Sequence, residues 1–196
     1  MKHIDPNSIK DNDIEEFIPN VPPSLILKYN EMVSLFRILP EYARMRVPTV
    51  MYQSQNDGFN LKNLYRVCHN FKDEYRFTLM LVQTSKNQVF GAFIDAVFCP
   101  KPKPGKYIGS SECFVFTVKP KIRAFHDKGA NLRYLLGEYD YFTVGGEGDG
   151  PAIRINETLD RGQTNMSGTF GNEILTGGEK FKDDMFEVHN IEFFLR

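Results

Sequence analysis

Tryptophan is missing altogether, and cysteine is scarce: Cys68, Cys99 and Cys113 are the three thiols of a 196-residue chain. No two stand in CxxC spacing, which argues against a zinc site or a redox pair. An odd, sparse set fits reduced thiols in a cytosolic protein. The histidines are His3, His69, His126 and His189, and none form an HExxH or HxH pattern, so spacing offers no metal cluster. The net charge of −1 gives no bulk electrostatic case for nucleic acid or for an anionic membrane. No apolar run is long enough to span a membrane, and no signal or transit segment is visible. The GxSxG nucleophile elbow is also missing. The chain reads as cytoplasmic, without metal or cofactor, meeting membranes only through its surface or through a partner domain.

Phenylalanine and tyrosine make the chain 13% aromatic, and 41% of it is hydrophobic; that composition suits one soluble domain with many short strands. The organising stretch runs from Tyr141 to Asn172. Tyr141 to Val144 is β-branched and aromatic, and Ala152 to Asn156 alternates, so the two read as a hairpin. Gly145-Gly146-Glu147-Gly148-Asp149-Gly150 breaks the chain between them, and Leu159, Gly162, Gly168 and Gly171 space out a return with almost no helical period. The glycine run comes close to a phosphate-binding GxGxxG. That match fails, because such a loop must open a helix whose N-terminus meets the phosphate. Here Pro151 and a strand follow, and Glu147 and Asp149 would repel an anion.

Taken in order, residues 1–20 are polar and aperiodic, expected as a linker or mobile arm, with a single domain over 21–196. Ser24 is placed to cap a helix whose face carries Leu25, Tyr29, Met32, Val33 and Phe36. Pro40 closes that helix near Leu39, with one more turn over 41–46. Val50 to Gln53 starts a strand, Asp57-Gly58 marks a turn, and Leu61, Leu64, Tyr65 and Cys68 show helical spacing. Residues 75–82 and 88–97 form the clearest hairpin. Glu112 to Val118 is a strongly apolar strand, 120–138 reads as loop, and 181–195 as one or two strands with Ile191, Phe193 and Leu195 on one face. The fold class is mainly antiparallel β with flanking helices, arranged as a two-sheet β-sandwich. Phe114, Phe116, Val144, Ile153, Ile155, Phe170 and Ile191 are the predicted core.

Several pieces in order resemble a TLDc domain: GS-x-ECFVF at 109–116, VGG…G…I-x-I at 144–155, L-x-x-G at 159–162, TFGN at 169–172 and IEFFL at 191–195. LPEYARMRVPTVMYQSQNDGFNL at 39–61 and TLMLVQTSKNQVFGAFIDAVF at 78–98 look most like the TLDc half of Skywalker-type TBC–TLDc proteins. The resemblance implies a β-sandwich wrapped by short helices. It implies structural roles for the motif residues Gly109, Glu112, Gly145, Gly146, Gly162, Thr169, Phe170 and Asn172. It also implies roles in vesicle traffic, including synaptic vesicles, and in oxidative-stress resistance, with V-ATPase subunits as partners. A Rab-type GTPase would enter only through a TBC domain, which this sequence does not contain.

No reaction centre is recognisable. Cys68 and His69 are neighbours, which point in different directions in a helix or a strand, so a structural pair is favoured over a catalytic dyad. Glu112, opening a buried strand, is expected to accept backbone hydrogen bonds rather than to transfer protons. Glu147, Asp149, Glu157 and Asp160, with Arg161, form the candidate recognition face on glycine-rich loops; solvating a turn is the competing reading. Glu192 is a further available acid. Lys101 and Lys103 in the Pro-rich loop could touch anionic lipid weakly, at about 1 kcal/mol each. The leading expectation is a non-enzymatic interaction domain. A peroxide-defence enzyme and a module that stabilises a neighbouring domain are the rivals. Peroxide chemistry needs an accessible, low-pKa thiol; Cys113 is expected to be inert in its strand, and Cys68 and Cys99 more exposed.

Overall fold

The computed structural model describes residues 20–45, 47–70, 76–98, 105–179 and 184–196. The expected N-terminal arm, apart from Asn20, lies outside them, as do Cys99, Lys101 and Lys103. The first helix, expected from Leu25, starts four residues later as α1 (Tyr29–Phe36). Ser24 explains the delay. Its hydroxyl accepts the Ile26 and Leu27 amides at 3.0 Å each and donates to Glu192 at 2.5 Å. That closes a tight turn instead of opening a helix. The buried set is therefore Ile26, Leu27, Met32, Val33, Leu35 and Phe36, while Leu25 and Tyr29 are 52% and 63% exposed. Pro40 does not close α1, which ends at Phe36; it stands at the N-cap of the next turn, α2 (Glu41–Arg44).

The following elements obey their patterns. β1 (Thr49–Gln53) leads into the single turn α3 (Ser54–Asp57), which Gly58 ends at a φ of +86°. α4 (Leu61–Asn70) buries Leu61, Leu64, Tyr65 and Cys68. β2 (Thr78–Thr84) and β3 (Val89–Ile94) make the expected hairpin, and β4 (Phe114–Lys119) follows it in the sheet. The stretch expected as loop holds two short strands, β5 (Arg123–His126) and β6 (Leu135–Gly137). Their pairing with β4 and with the next strand, rather than any pattern of their own, makes them strands. β7 (Tyr141–Val144) and β8 (Ile153–Asn156) form the second hairpin, with Val144 opposite Ile153. The glycine-spaced return contains β9 (Arg161–Gln163), and β10 (Met185–Leu195) comes last.

Every named strand pair is antiparallel. The strand order is β5-β4-β3-β2-β10-β9-β8-β7-β6, with β1 also on β10. β10 belongs to both halves of that path. Residues 185–187 pair with β9 in one sheet, and 188–195 pair with β2 and β1 in the other. Its burial changes with its neighbours: alternating from Met185 to His189, then continuously buried from Asn190 to Leu195. Alternation is the signature of a sheet with one wet face, and a continuous apolar run that of a sheet covered on both faces. The sheets face each other across Met80, Val82, Phe90, Phe142, Ile153 and Ile155, with Phe90 edge-on to Phe186 at 5.1 Å. On its other face, the first sheet packs Leu79, Leu81, Phe114, Phe116 and Phe194 against the apolar residues of 26–43. All seven predicted core residues are fully buried.

Glu192 is a correction. Sequence offered it as an available acid, yet it is wholly buried. Its carboxylate accepts Ser24 Oγ at 2.5 Å, the Leu25 amide at 2.7 Å and Gln53 Nε2 at 2.7 Å. Alternation along β10 turns it toward the helical layer, where these three donors hold the segment leading into α1. A shift in register nearby, between Val188 and Asn190, is pinned by Ser54. That hydroxyl donates to Asn190 Oδ1 at 2.7 Å and accepts the Ile191 amide at 3.0 Å.

Phe116 stands beside Phe114, ring centroids 6.0 Å apart, beneath the helical layer. Truncation to Ala is expected to cost about 3–5 kcal/mol in urea unfolding. A loss below about 1 kcal/mol would mean that this layer does not close over the first sheet.

Candidate functional site

The glycine-rich loop is a built structure, not a slack connection. Gly145 sits at a φ of +80°, a conformation that L side chains rarely adopt, and donates to Tyr134 O at 2.7 Å. A Cβ there would lie 2.7 Å from Ser167 Oγ and 3.0 Å from the Phe170 ring. The Gly146 amide donates to Thr169 Oγ1 at 2.9 Å and to Ser167 Oγ at 3.1 Å. Ser167 Oγ donates to Gly146 O at 3.0 Å, and Thr169 Oγ1 to Asn131 Oδ1 at 2.9 Å. Backbone bonds extend the closure: Gly168 N to Glu147 O at 3.0 Å and Asp149 N to Met166 O at 3.0 Å. Asn172 completes it, its Nδ2 donating to Asn165 O and Glu173 O at 2.8 Å each. Ser167, Thr169 and Asn172 are buried, so the bonds of their side chains satisfy groups cut off from water.

Gly145, Gly146, Thr169, Phe170 and Asn172 thus meet in one latch between the β7–β8 loop and the return that follows β9. The other motif residues lie elsewhere. Gly109 (φ +102°) lets the chain pass Cys113 Sγ, which a Cβ would meet at 2.8 Å. Gly162 leaves room for Phe186, whose ring would stand 2.3 Å from a Cβ. Glu112 is exposed in the turn before β4 rather than opening the buried strand; the buried residues begin with Cys113. Sequence reasoning missed Ser167 and Asn131, whose polar side chains in a loop carry no pattern of their own.

The five described interaction candidates fall into two groups. Glu147 and Asp149 are exposed on the latched loop. Glu147 pairs with Arg133 at 3.3 Å and accepts Asn131 Nδ2 at 3.2 Å. Glu157, Asp160 and Arg161 lie at the opposite end of β8, around the turn into β9. Hydrogen bonds from Thr158 and Asn156 hold the Asp160 carboxyl below its usual range, with a smaller contribution from Arg161. The Glu157 carbonyl caps α4, accepting the Leu61 amide at 2.9 Å. One continuous acidic face is therefore not what the fold presents.

Two open clefts flank Met185, which is 63% exposed. The larger, about 550 Å³, is lined by Thr84, Lys86, Gln88, Arg161 and Glu187 among others; the smaller, about 260 Å³, by Arg154, Asn156, Arg161 and Gln163. The Arg154 guanidinium lies 3.9 Å from the centre of the Tyr141 ring. The outward alternation of Ile-Arg-Ile in β8 was the available signal for Arg154. Nothing in the sequence marked Met185.

Cys68 was expected to be exposed but is fully buried in α4, and Cys113 is buried as well. Burial pushes the Cys113 thiol up to about 11, against smaller lowering contributions from the Asp95 and Ser110 backbone. Burial likewise raises the Tyr42 phenol, helped by the nearby Asp95 carboxylate. No group of three or more His, Cys, Asp or Glu among the described residues is placed to hold a metal ion.

The fold and the site thus define an antiparallel two-sheet domain, latched by a glycine-rich loop and bearing surface clefts. The model of the TLDc domain matches residues 21–192, and the chain belongs to that family. It is 33% identical over 172 residues to Oxidation resistance protein 1 of Bos taurus, covering 87% of this chain and 19% of the relative. It is 31% identical over 183 residues to the Homo sapiens protein of the same name, covering 93% and 20%. Nuclear receptor coactivator 7 of Homo sapiens is 28% identical over 182 residues, covering 92% and 19%. The chain spans about a fifth of the length of these relatives.

Two outcomes test this geometry. Gly177 shares the left-handed conformation of Gly145 (φ +73°) but has open space around it, so Gly177→Ala should cost only the backbone term, about 1–2 kcal/mol. Gly145→Val adds the collision with Ser167 and Phe170 and should cost clearly more in the same unfolding assay; equal costs would dissolve the latch. In a thiol titration of the native protein at mildly alkaline pH, Cys68 and Cys113 should not react until denaturant is added. A native signal lost in Cys113→Ser would contradict its burial.

Proposed function

We propose that the chain is a non-enzymatic protein-interaction domain serving oxidative-stress resistance and membrane traffic. The observation that carries this reading is the latch. Its buried hydrogen bonds hold Glu147 and Asp149 outward on a loop whose backbone is already ordered, so binding there costs little conformational entropy. Family membership and the similarity to Oxidation resistance protein 1 support the link to oxidation resistance. The two buried thiols disfavour a peroxidase reading, since peroxide reduction needs an exposed, low-pKa cysteine; Cys99 lies outside the described residues. The partners in this proposal are V-ATPase subunits on vesicle membranes, synaptic vesicles included. A TBC domain elsewhere in a longer protein would supply any action on a Rab-type GTPase, and the lysines of the Pro-rich loop would add weak contact with anionic lipid.

Glu147 and Arg133 are about half exposed as side chains, and such a surface pair contributes about 0–1 kcal/mol. Changing Glu147 and Asp149 to Lys should therefore leave the Tm nearly unchanged. Capture of V-ATPase subunits from vesicle lysate by the purified domain should fall in the double variant, and the difference should shrink as salt rises. Undiminished capture by the folded variant would remove this loop from the interface.

A further inference from the structure

We propose that the open face around Met185 is a second docking surface, which takes an extended, acidic segment of a partner protein. The reading is independent of the latched acidic loop and has the opposite charge. β8, β9 and the start of β10 turn Ile155, Gly162 and Phe186 inward, as their register and burial show. Side-chain alternation then places Arg154, Arg161, Gln163 and Met185 on the outer face. Both clefts share Arg161 and Met185, so they adjoin and together make a depressed face around an exposed apolar side chain. Lys86, on the β2–β3 turn, lines its far side.

Charge selects the occupant. Three cations, Lys86, Arg161 and Arg154, line the depression, and Glu187 is the one acid among its described lining residues. Arg154 rests on the Tyr141 ring at 3.9 Å, a contact that restricts the guanidinium before any ligand arrives. Spacing selects an extended chain. Arg154 pairs in register with Gln163, two residues beyond Arg161 on the neighbouring strand. With strands ~4.8 Å apart and a rise of ~3.3 Å per residue, the two arginines are rooted about 8 Å apart. Carboxylates at i and i+2 of an extended peptide share one face at about 7 Å, within reach of both. Met185, in register with Gln163 on the far side of β9 from Arg154, offers contact to an apolar side chain of the same peptide. β9 is paired on both sides, so recognition is by side chains on a sheet face, not by strand addition to an edge.

A fluorescein-labelled short peptide of alternating Glu and Ser with one central Leu tests this by fluorescence anisotropy. Its counterpart with Gln for every Glu, inorganic phosphate and phosphatidylserine vesicles serve as competitors. The expected result is saturable binding that weakens with salt and is competed by none of the three. Arg154→Gln with Arg161→Gln should weaken it about tenfold or more. Met185→Glu, at an exposed position that leaves the core intact, should weaken it too, whereas the Glu147 and Asp149 changes should not. Three results overturn the proposal: no binding, equal binding by the arginine or Met185 variants once their fold is confirmed by circular dichroism, or displacement by vesicles or phosphate. The last would reassign the cations to a lipid or a free anion.

Discussion

β10 is the constraint on which the two sheets depend. A single strand satisfies β9 with its first residues and β2 and β1 with the rest. It can do so only because the ladder slips between Val188 and Asn190. Bulges add twist and redirect a strand, and here the slip falls where the pattern changes from half-wet to fully covered. Ser54 and Asn190 hold the irregular backbone, and Glu192, two residues on, reaches Ser24 and Leu25 in the layer above and Gln53 on the neighbouring strand β1. A buried carboxylate with three donors is tolerable where an unpaired one would not be. The helical layer, the first sheet and the second sheet are therefore all tied to one short stretch of chain.

The elements legible in the sequence were those whose pattern was local. α4 follows from Leu61, Leu64, Tyr65 and Cys68, the β2–β3 hairpin from two apolar runs around a turn, and the buried core from the apolar runs of β4 and β7 and the alternation in β8. What was misread depends on partners distant in sequence, or lies in strands of three or four residues, too short to show a pattern of their own. The start of α1 is set by Glu192, some 167 residues away, and no window around Ser24 contains that information. β5 and β6 exist because β4 and β7 pair with them. Cys68 lies on the apolar stripe of α4, which argued for burial; the expectation that it would be more exposed left that stripe out of account.

The candidate site divides in the same way. The glycines of the latch were legible because left-handed backbone and close approach demand glycine, and Gly145 meets both conditions. Their hydroxyl and amide partners were only half legible: Thr169 and Asn172 through the family motif, Ser167 and Asn131 not at all. The cationic face around Met185 escaped notice as a face: Arg161 was grouped with the acids beside it in sequence, and the other residues come from separate strands and a turn, each alone an ordinary surface side chain. The fold thus places an acidic loop and a basic sheet face on one small scaffold, each held by contacts that do not involve the other.

The topology also dictates an order of events when the chain forms. β10 follows every other strand in sequence, yet it lies between β2 and β9 in space and carries the carboxylate that docks the segment before α1. Until residues 185–195 have left the ribosome, the two hairpins have nothing to join them, and the apolar faces of both sheets remain open to water. Loops closed across such separations are slow to form, and exposed sheet faces invite aggregation meanwhile. The newly made domain therefore passes through a stage in which nearly all of its residues exist without a completed core, and a nascent-chain chaperone has most reason to engage it then.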